Sequence, residues 1–236
     1  ANKKYNTDLS ADKIKDEKDD VSEKTVLIIG GDGWAYDIGY GGVDHVVASG
    51  KNVNILVLDT EVYSNTGGQA SKATPIGAVA KFANAGKKLG KKNLGFMCMS
   101  YGYVYVASIA LGANRMHAQK ALQEAVAWDG PSIVFCYSSC INHGMNMRYS
   151  QLEAKKAVDA GYWPLYRYNP ALEEGKKFSW DVKKEPTVAY QDFLKGEVRY
   201  TSLYKTNPEH ADELFQKAED DAKRQMNFFK AIGEIM

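Results

Sequence analysis

The sequence has almost no charge of one sign to spare: 30 Lys and Arg stand against 29 Asp and Glu, a formal net charge of +1. An electrostatic nucleic-acid binder carries a basic excess or stripe, so no nucleic-acid partner is expected. Long apolar runs are also lacking. The longest candidate, Tyr103 to Ala113, stops at a glycine-containing break and falls short of the roughly 18 residues of a membrane helix, which argues against a membrane partner. The opening residues hold no hydrophobic signal region, which argues against secretion unless a leader has been removed. Cysteine is scarce. Three residues, an odd number at scattered spacing, make no disulfide framework and suit a reducing compartment, the cytoplasm or a reducing anaerobic organelle.

What remains is the composition of a globular protein, 44% hydrophobic and 25% charged, with length for one large α/β domain or two small ones. Ala1 to Lys24 holds six Lys, seven Asp or Glu and only six apolar residues, too few to offset its own ordering by burial, and reads as a charged linker or arm over 1–24. From Thr25 the texture changes. Thr25 to Ile29 is a continuous apolar run ended by Gly30 and Gly31, the pattern of a strand buried on both faces. The same signal recurs at Val53 to Leu58, Tyr103 to Ala110 and Ser132 to Tyr137. Between and after these runs, helical stretches are expected at Asp37 to Ala48, Ile76 to Lys87, Met116 to Trp128 and Gln151 to Ala160, with an edge strand within Trp163 to Tyr168. Alternating strands and helices predict an α/β fold, a mostly parallel sheet with helices on both faces, over 25–170. The segment 171–236 reads as irregular up to Pro208. A C-terminal amphipathic helix follows, capped by Asn207-Pro208, with Ala211, Leu214, Phe215, Ala218, Ala222, Met226 and Phe229 on one face, packed on the domain or on a partner.

The chemistry-bearing residues sit where the first two strands end. Strand one runs into Gly31-Asp32-Gly33-Trp34 and strand two into Asp59-Thr60-Glu61-Val62-Tyr63-Ser64-Asn65-Thr66-Gly67-Gly68. From Asp32 to Thr60 is 28 residues, one turn, helix and strand, and a right-handed crossover of that length returns the chain beside its start, about 5 Å away. Ligands bind at the carboxyl ends of such strands. A carboxylate between glycines, a hydroxyl, a backbone carbonyl and an amide side chain are hard oxygen donors that suit Mg²⁺ and, with it, a diphosphate cofactor. The Rossmann fingerprint lacks its third glycine, and no Walker A Gly-Lys-Ser/Thr follows a strand. Either loop alone is an ordinary turn; the pair at this spacing carries the inference.

That pair resembles the diphosphate motif of thiamine diphosphate enzymes. The stretches Ile28 to Gly42, Asp59 to Gln69, Ser100 to Ala107 and Cys140-Ile141-Asn142-His143-Gly144 are similar to the C-terminal thiamine-diphosphate domain of the pyruvate:ferredoxin (flavodoxin) oxidoreductases. The resemblance implies a thiamine-diphosphate-binding fold in which Asp32, Thr60 and the Val62 carbonyl ligate Mg²⁺. Gly31, Asp32, Gly33, Trp34, Thr60, Glu61, Val62, Tyr63, Ser64 and Asn65 would line the cofactor, and Asn65 would serve catalysis beside the reactive carbon. It further implies oxidative decarboxylation of pyruvate to acetyl-CoA and CO2, with electrons passing through [4Fe-4S] clusters to ferredoxin or flavodoxin in a homodimeric enzyme. Cys140 would be one cluster ligand, the others coming from a segment absent here. The carboxylate that activates thiamine is not assigned: Glu61 is tempting but sits between metal-binding positions, and the family carries that glutamate, with the substrate-binding arginine, in a separate N-terminal domain. The chain is then half an active site, inactive alone and completed by the remaining domains or subunits. Two alternatives stay open, a nonoxidative thiamine-diphosphate decarboxylase or synthase and a noncatalytic truncated module. Cys98 reads as a packing residue, Cys136 and Cys140 as too far apart for one metal, and His45, His117, His143 and His210 as no metal motif.

Overall fold

The computed structural model describes residues 24–182 and 184–235; apart from Lys24, the charged arm expected over 1–24 lies outside them. The four apolar runs form β1 (Leu27–Gly31), β2 (Asn54–Asp59), β3 (Tyr105–Ile109) and β4 (Ser132–Tyr137), paired in parallel in the order β1-β2-β4-β3. Two short antiparallel strands, β5 (Tyr166–Tyr168) and β6 (Phe178–Trp180), continue the sheet beyond β3. The edge strand expected at Tyr168 is therefore internal, and β6, unmarked by any apolar run, is the edge. Among the described residues no helix is long and apolar enough to cross a membrane.

Helices cover both faces. α1 (Tyr40–Ala48), α2 (Leu94–Met99), α4 (Ser150–Asp159) and α8 (Ala211–Ile235) pack one face around Ile55, Val57, Val106, Ile133 and Phe135. The other face is held by α3 (Arg115–Ala127), whose Ala118, Ala121 and Ala125 lie on Ala107, Ile109, Val134 and Cys136. α3 starts where the Asn114 side chain accepts the His117 amide, a cap that relieves one unpaired helix donor. Because this one helix sits over β3 and β4, the outer face of β1 is left open: Leu27 and Ile29 are 52% and 58% exposed. The expectation that strand one is buried on both faces is corrected accordingly.

The helix expected over Ile76 to Lys87 is absent. The segment from Thr60 to Asn93 is a long excursion with only isolated bridges, Tyr63 to Gln69, Gln69 to Lys81 and Ala80 to Ala83. Its backbone takes positive φ at Gly77, Phe82 and Gly86, which no right-handed helix tolerates; apolar spacing alone misread it. Helical structure resumes at α2, where Asn93 accepts the Phe96 amide. The region read as irregular before Pro208 contains β6 and three short helices, α5 (Tyr190–Leu194), α6 (Val198–Thr201) and α7 (Leu203–Thr206). Asn207 makes no side-chain cap and instead donates to the Ala85 carbonyl at 3.0 Å, tying the start of α8 to the long excursion.

α8 is an integral layer. Leu214, Phe215, Ala218, Phe229 and Ile232 are buried, and the Phe229 ring stacks on Tyr166, 4.6 Å between centroids, and near Phe178 and Trp180. It thus staples α8 to β5 and β6. Phe229→Ala is expected to lower unfolding stability by about 3–5 kcal/mol, the cost of a large buried cavity, read as a shift of the urea midpoint at unchanged slope.

Candidate functional site

β1 pairs with β2 in the register Gly31 opposite Leu58, so the residues just past each strand, Asp32 and Thr60, meet. Thr60 donates to Asp32 Oδ1 through both its amide (3.2 Å) and its hydroxyl (2.9 Å). The same hydroxyl lies 3.0 Å from the Val62 carbonyl. Ser71, unmarked in the sequence reading, donates to Asp32 Oδ2 at 2.7 Å and fixes the carboxylate's orientation. Burial pushes the Asp32 carboxyl up, with the nearby Asp59 charge adding to it and the Ser71 and Thr60 hydrogen bonds opposing, to about 6.

Close approach requires the glycines here. A Cβ on Gly33 would lie 2.4 Å from the Tyr63 ring, so only glycine lets the second loop close on the first. After Gly33 the chain makes a wide π-helical turn, Gly33–Ile38, before α1, a rare irregularity that clusters at functional sites. The Trp34 ring fills the space that side chains on Gly30 and Gly39 would take. The second loop folds back on itself: Tyr63 N–H bonds to Gln69 O and Gly68 N–H to Tyr63 O, with Gly67 and Gly68 at φ of 105° and 88°. Asn65 is left exposed at its tip.

Glu61 does not face this opening. It is 1% exposed and sends its carboxylate inward to Lys91 Nζ (3.1 Å), Arg199 Nη2 (2.8 Å) and Tyr162 OH (2.5 Å). Its amide donates to Asp59 Oδ1 and its carbonyl accepts from Thr74. Burial alone would raise the Glu61 carboxyl, but Lys91 and Arg199 more than reverse that and hold it down at about 2. With its carboxylate, amide and carbonyl all engaged inside the protein, the Glu61 side chain supports the loop from behind.

A third loop, following β4, closes on the second at three points. Cys140 Sγ lies 2.8 Å from Ser64 Oγ; a Cβ on Gly68 would meet Asn142 Oδ1 at 2.6 Å; His143 Nε2 lies 2.8 Å from the Thr60 carbonyl. Asn142 also presents its amide and its side-chain Nδ2 to Cys140 Sγ at 3.4 and 3.3 Å. The His143 ring is thus taken up by Thr60 and, at 3.5 Å, by Glu197. Cys98 and Cys136 lie on α2 and β4, away from this corner. Burial pushes the Cys98 thiol up to about 12 and the Cys136 thiol up as well, the state of inert packing cysteines. Among the described residues no group of three or more His, Cys, Asp or Glu could hold a metal; the Asp32 corner has one carboxylate, its other donors being a hydroxyl and a carbonyl.

Sequence reading missed Ser71, Lys91, Tyr162, Glu197 and Arg199. Ser71 follows the glycine loop closely enough to have been weighed with it. Arg199 lies 138 residues from Glu61, in a stretch with no periodic pattern, and no local signal marks it.

Comparison with known proteins decides the family. Residues 13–136 match the model of the thiamine pyrophosphate enzyme C-terminal TPP-binding domain. The chain belongs to the thiamine pyrophosphate enzymes. It is 64% identical over 94% of its length to a pyruvate:ferredoxin oxidoreductase of Moorella thermoacetica, and 57% identical over 87% to a pyruvate-flavodoxin oxidoreductase of Klebsiella pneumoniae. It is also 48% identical over 89% to a pyruvate dehydrogenase [NADP(+)] of Cryptosporidium parvum. It spans 19%, 18% and 12% of those three proteins, so the thiamine pyrophosphate-binding domain here corresponds to a small part of much larger oxidoreductases.

Proposed function

We propose that Asp32, Thr60 and the Val62 carbonyl hold a Mg²⁺ ion that anchors the diphosphate of thiamine diphosphate, and that this chain is the cofactor-binding part of an enzyme oxidatively decarboxylating pyruvate to acetyl-CoA and CO2. The observation that carries the metal is the spacing of the three oxygens. Octahedral Mg²⁺ with oxygens at about 2.0–2.1 Å has adjacent corners about 2.8–3.0 Å apart. The Asp32 to Thr60 and Thr60 to Val62 separations are 2.9 and 3.0 Å, two such edges sharing the Thr60 hydroxyl. Thr60 has one hydroxyl proton for two acceptors, and Asp32 is a buried carboxylate with no ion pair among the described residues, so the corner has the electron-rich character that a divalent cation relieves.

When bound, thiamine diphosphate supplies the nucleophilic carbon and the electron sink for decarboxylating a 2-oxo acid. The chain's own contribution is position. The two strand-end loops would fix the diphosphate, and Asn65, exposed at the tip of the second loop, would serve beside the reacting carbon. Cys140 fits one ligand of a [4Fe-4S] cluster: its sulfur receives two N–H groups, the kind of contact that tunes such ligands, and it touches Ser64, the neighbour of Asn65. The remaining cluster ligands, the thiamine-activating glutamate, and the sites for pyruvate, coenzyme A and ferredoxin or flavodoxin belong to the rest of the polypeptide. Three buried free thiols support a reducing compartment.

Calorimetric titration of thiamine diphosphate with and without Mg²⁺ tests the reading. Binding is expected only with the metal, and equal binding in its absence would overturn the assignment. The pH dependence has a fixed sign. Proton and metal compete for the Asp32 oxygens, whose carboxyl holds its proton up to about 6, so metal affinity rises about tenfold per pH unit below about 6 and levels off above it.

A further inference from the structure

Thr60 and Val62 flank Glu61, and the Val62 carbonyl comes within 3.0 Å of the Thr60 hydroxyl where the backbone turns between them. It does so at Glu61, where φ is +60°, a region that residues with a side chain avoid. Something must hold it there. Both carboxylate oxygens of Glu61 are tied down, one by Lys91 and the other by Arg199 and Tyr162. Arg199 is itself set by Glu197, whose Oε2 accepts its Nε at 2.6 Å, and the other Glu197 oxygen faces His143, which grips the Thr60 carbonyl. Thr60, His143, Glu197, Arg199 and Glu61 therefore form a ring of contacts around the metal loop, its loosest link the 3.5 Å approach of His143 Nδ1 to Glu197, which is not a hydrogen bond. Glu197 and Arg199 lie on and beside α6, beyond the residues 13–136 that match the family model. Buried ion pairs of this kind contribute little net stability but fix geometry.

We infer that Glu61 and Arg199 are positioning residues: their ion pair holds Glu61 in its left-handed conformation and so sets the spacing of the Thr60 hydroxyl and the Val62 carbonyl against Asp32. This rests on reading Asp32, Thr60 and Val62 as the metal site. Neither residue touches the metal; each acts through the loop.

The test uses the full polypeptide that carries this chain, with Mn²⁺ as the probe. Mn²⁺ affinity in the presence of thiamine diphosphate is measured by electron paramagnetic resonance, alongside thermal unfolding without ligand. Arg199→Met is expected to weaken Mn²⁺ binding by about 10–100-fold, the usual range for an outer-shell contact, and Arg199→Lys to recover most of it. A merely structural ion pair would lower the unfolding temperature in Arg199→Met yet leave the Mn²⁺ affinity of the folded protein within twofold of wild type, and that result overturns the proposal. Should Arg199→Met not fold, Tyr162→Phe decides: it keeps every charge and removes a single hydroxyl, which donates to Glu61 Oε2 and also contacts Arg199 Nη2 and the Tyr200 hydroxyl. Its Mn²⁺ affinity is expected to fall severalfold, and no change overturns the proposal. Asp32→Asn in the same series separates the two readings. If it abolishes Mn²⁺ binding while the other variants do nothing, the positioning role alone is wrong; if it too leaves binding intact, the metal site is wrong.

Discussion

Asp32→Asn is expected to remove Mg²⁺-dependent binding of thiamine diphosphate and, at neutral pH, to raise the stability of the ligand-free protein. The two effects share one cause. Asn keeps the shape of the side chain and can still accept from Thr60 and contact Ser71, but it removes the only carboxylate among the three donor oxygens. Affinity for the metal and its diphosphate should fall by at least about 100-fold, more than an outer-shell substitution costs. The stability effect follows from the raised Asp32 pKa, about 6 against an ordinary 3.8. Because the folded state holds this proton more tightly than the unfolded chain, stability declines as pH rises through that interval and is lowest above about 6. Relieving it is worth up to about 3 kcal/mol at pH 7, and nothing at pH 3. Calorimetric titration reads the first effect, and unfolding midpoints at the two pH values read the second. A variant that loses binding and stability together would mean that Asp32 is a structural residue and that the metal lies elsewhere.

Much of the fold was legible because its central strands are buried on both faces. β4 was placed at Ser132 to Tyr137 to the residue, since all six of its positions are buried and its pattern is a plain apolar run. β1 carries the same pattern and yet has an open face. Composition cannot distinguish a strand covered by this chain from one left uncovered. The false helix over Ile76 to Lys87 has a different origin: apolar residues such as Ile76 and Ala78 are buried because the excursion is pinned from outside, by bonds such as Val79 N–H to Arg199 O and Asn207 to Ala85 O. Tertiary contacts can bury an irregular segment at helical spacing. β6 failed to register because three residues are too few for any period.

The site divides along the same line. The meeting of Asp32 and Thr60 was legible because each directly follows a recognisable strand, and parallel pairing forces strand ends together. Their support was not. Lys91, Tyr162 and Arg199 converge on Glu61 from three separate loops and helices, and a charge in a polar stretch looks the same in sequence whether it is solvated or buried. The inward course of the Glu61 side chain was illegible for the same reason: it follows from a left-handed backbone and from partners distant in sequence.

Replacing Cys140 tests the other half of the proposal. Cys140→Ser in the full polypeptide is expected to abolish the signal of one reduced [4Fe-4S] cluster and to cut the rate of ferredoxin reduction with pyruvate by about two orders of magnitude or more, while Mg²⁺-dependent thiamine diphosphate binding stays within about twofold of wild type. Serine preserves the small polar contact with Ser64 and Asn142 that anchors the third loop, so the metal loop should keep its shape. The separation of effects is what makes the result decisive. Cys140 adjoins the cofactor loop through Ser64, and His143, three residues on, holds the Thr60 carbonyl; with serine keeping those contacts, a purely structural cysteine would leave every cluster signal in place, and that result would overturn the assignment. A cluster ligand is expected to do the reverse, losing the cluster signal while the cofactor loop keeps its contacts.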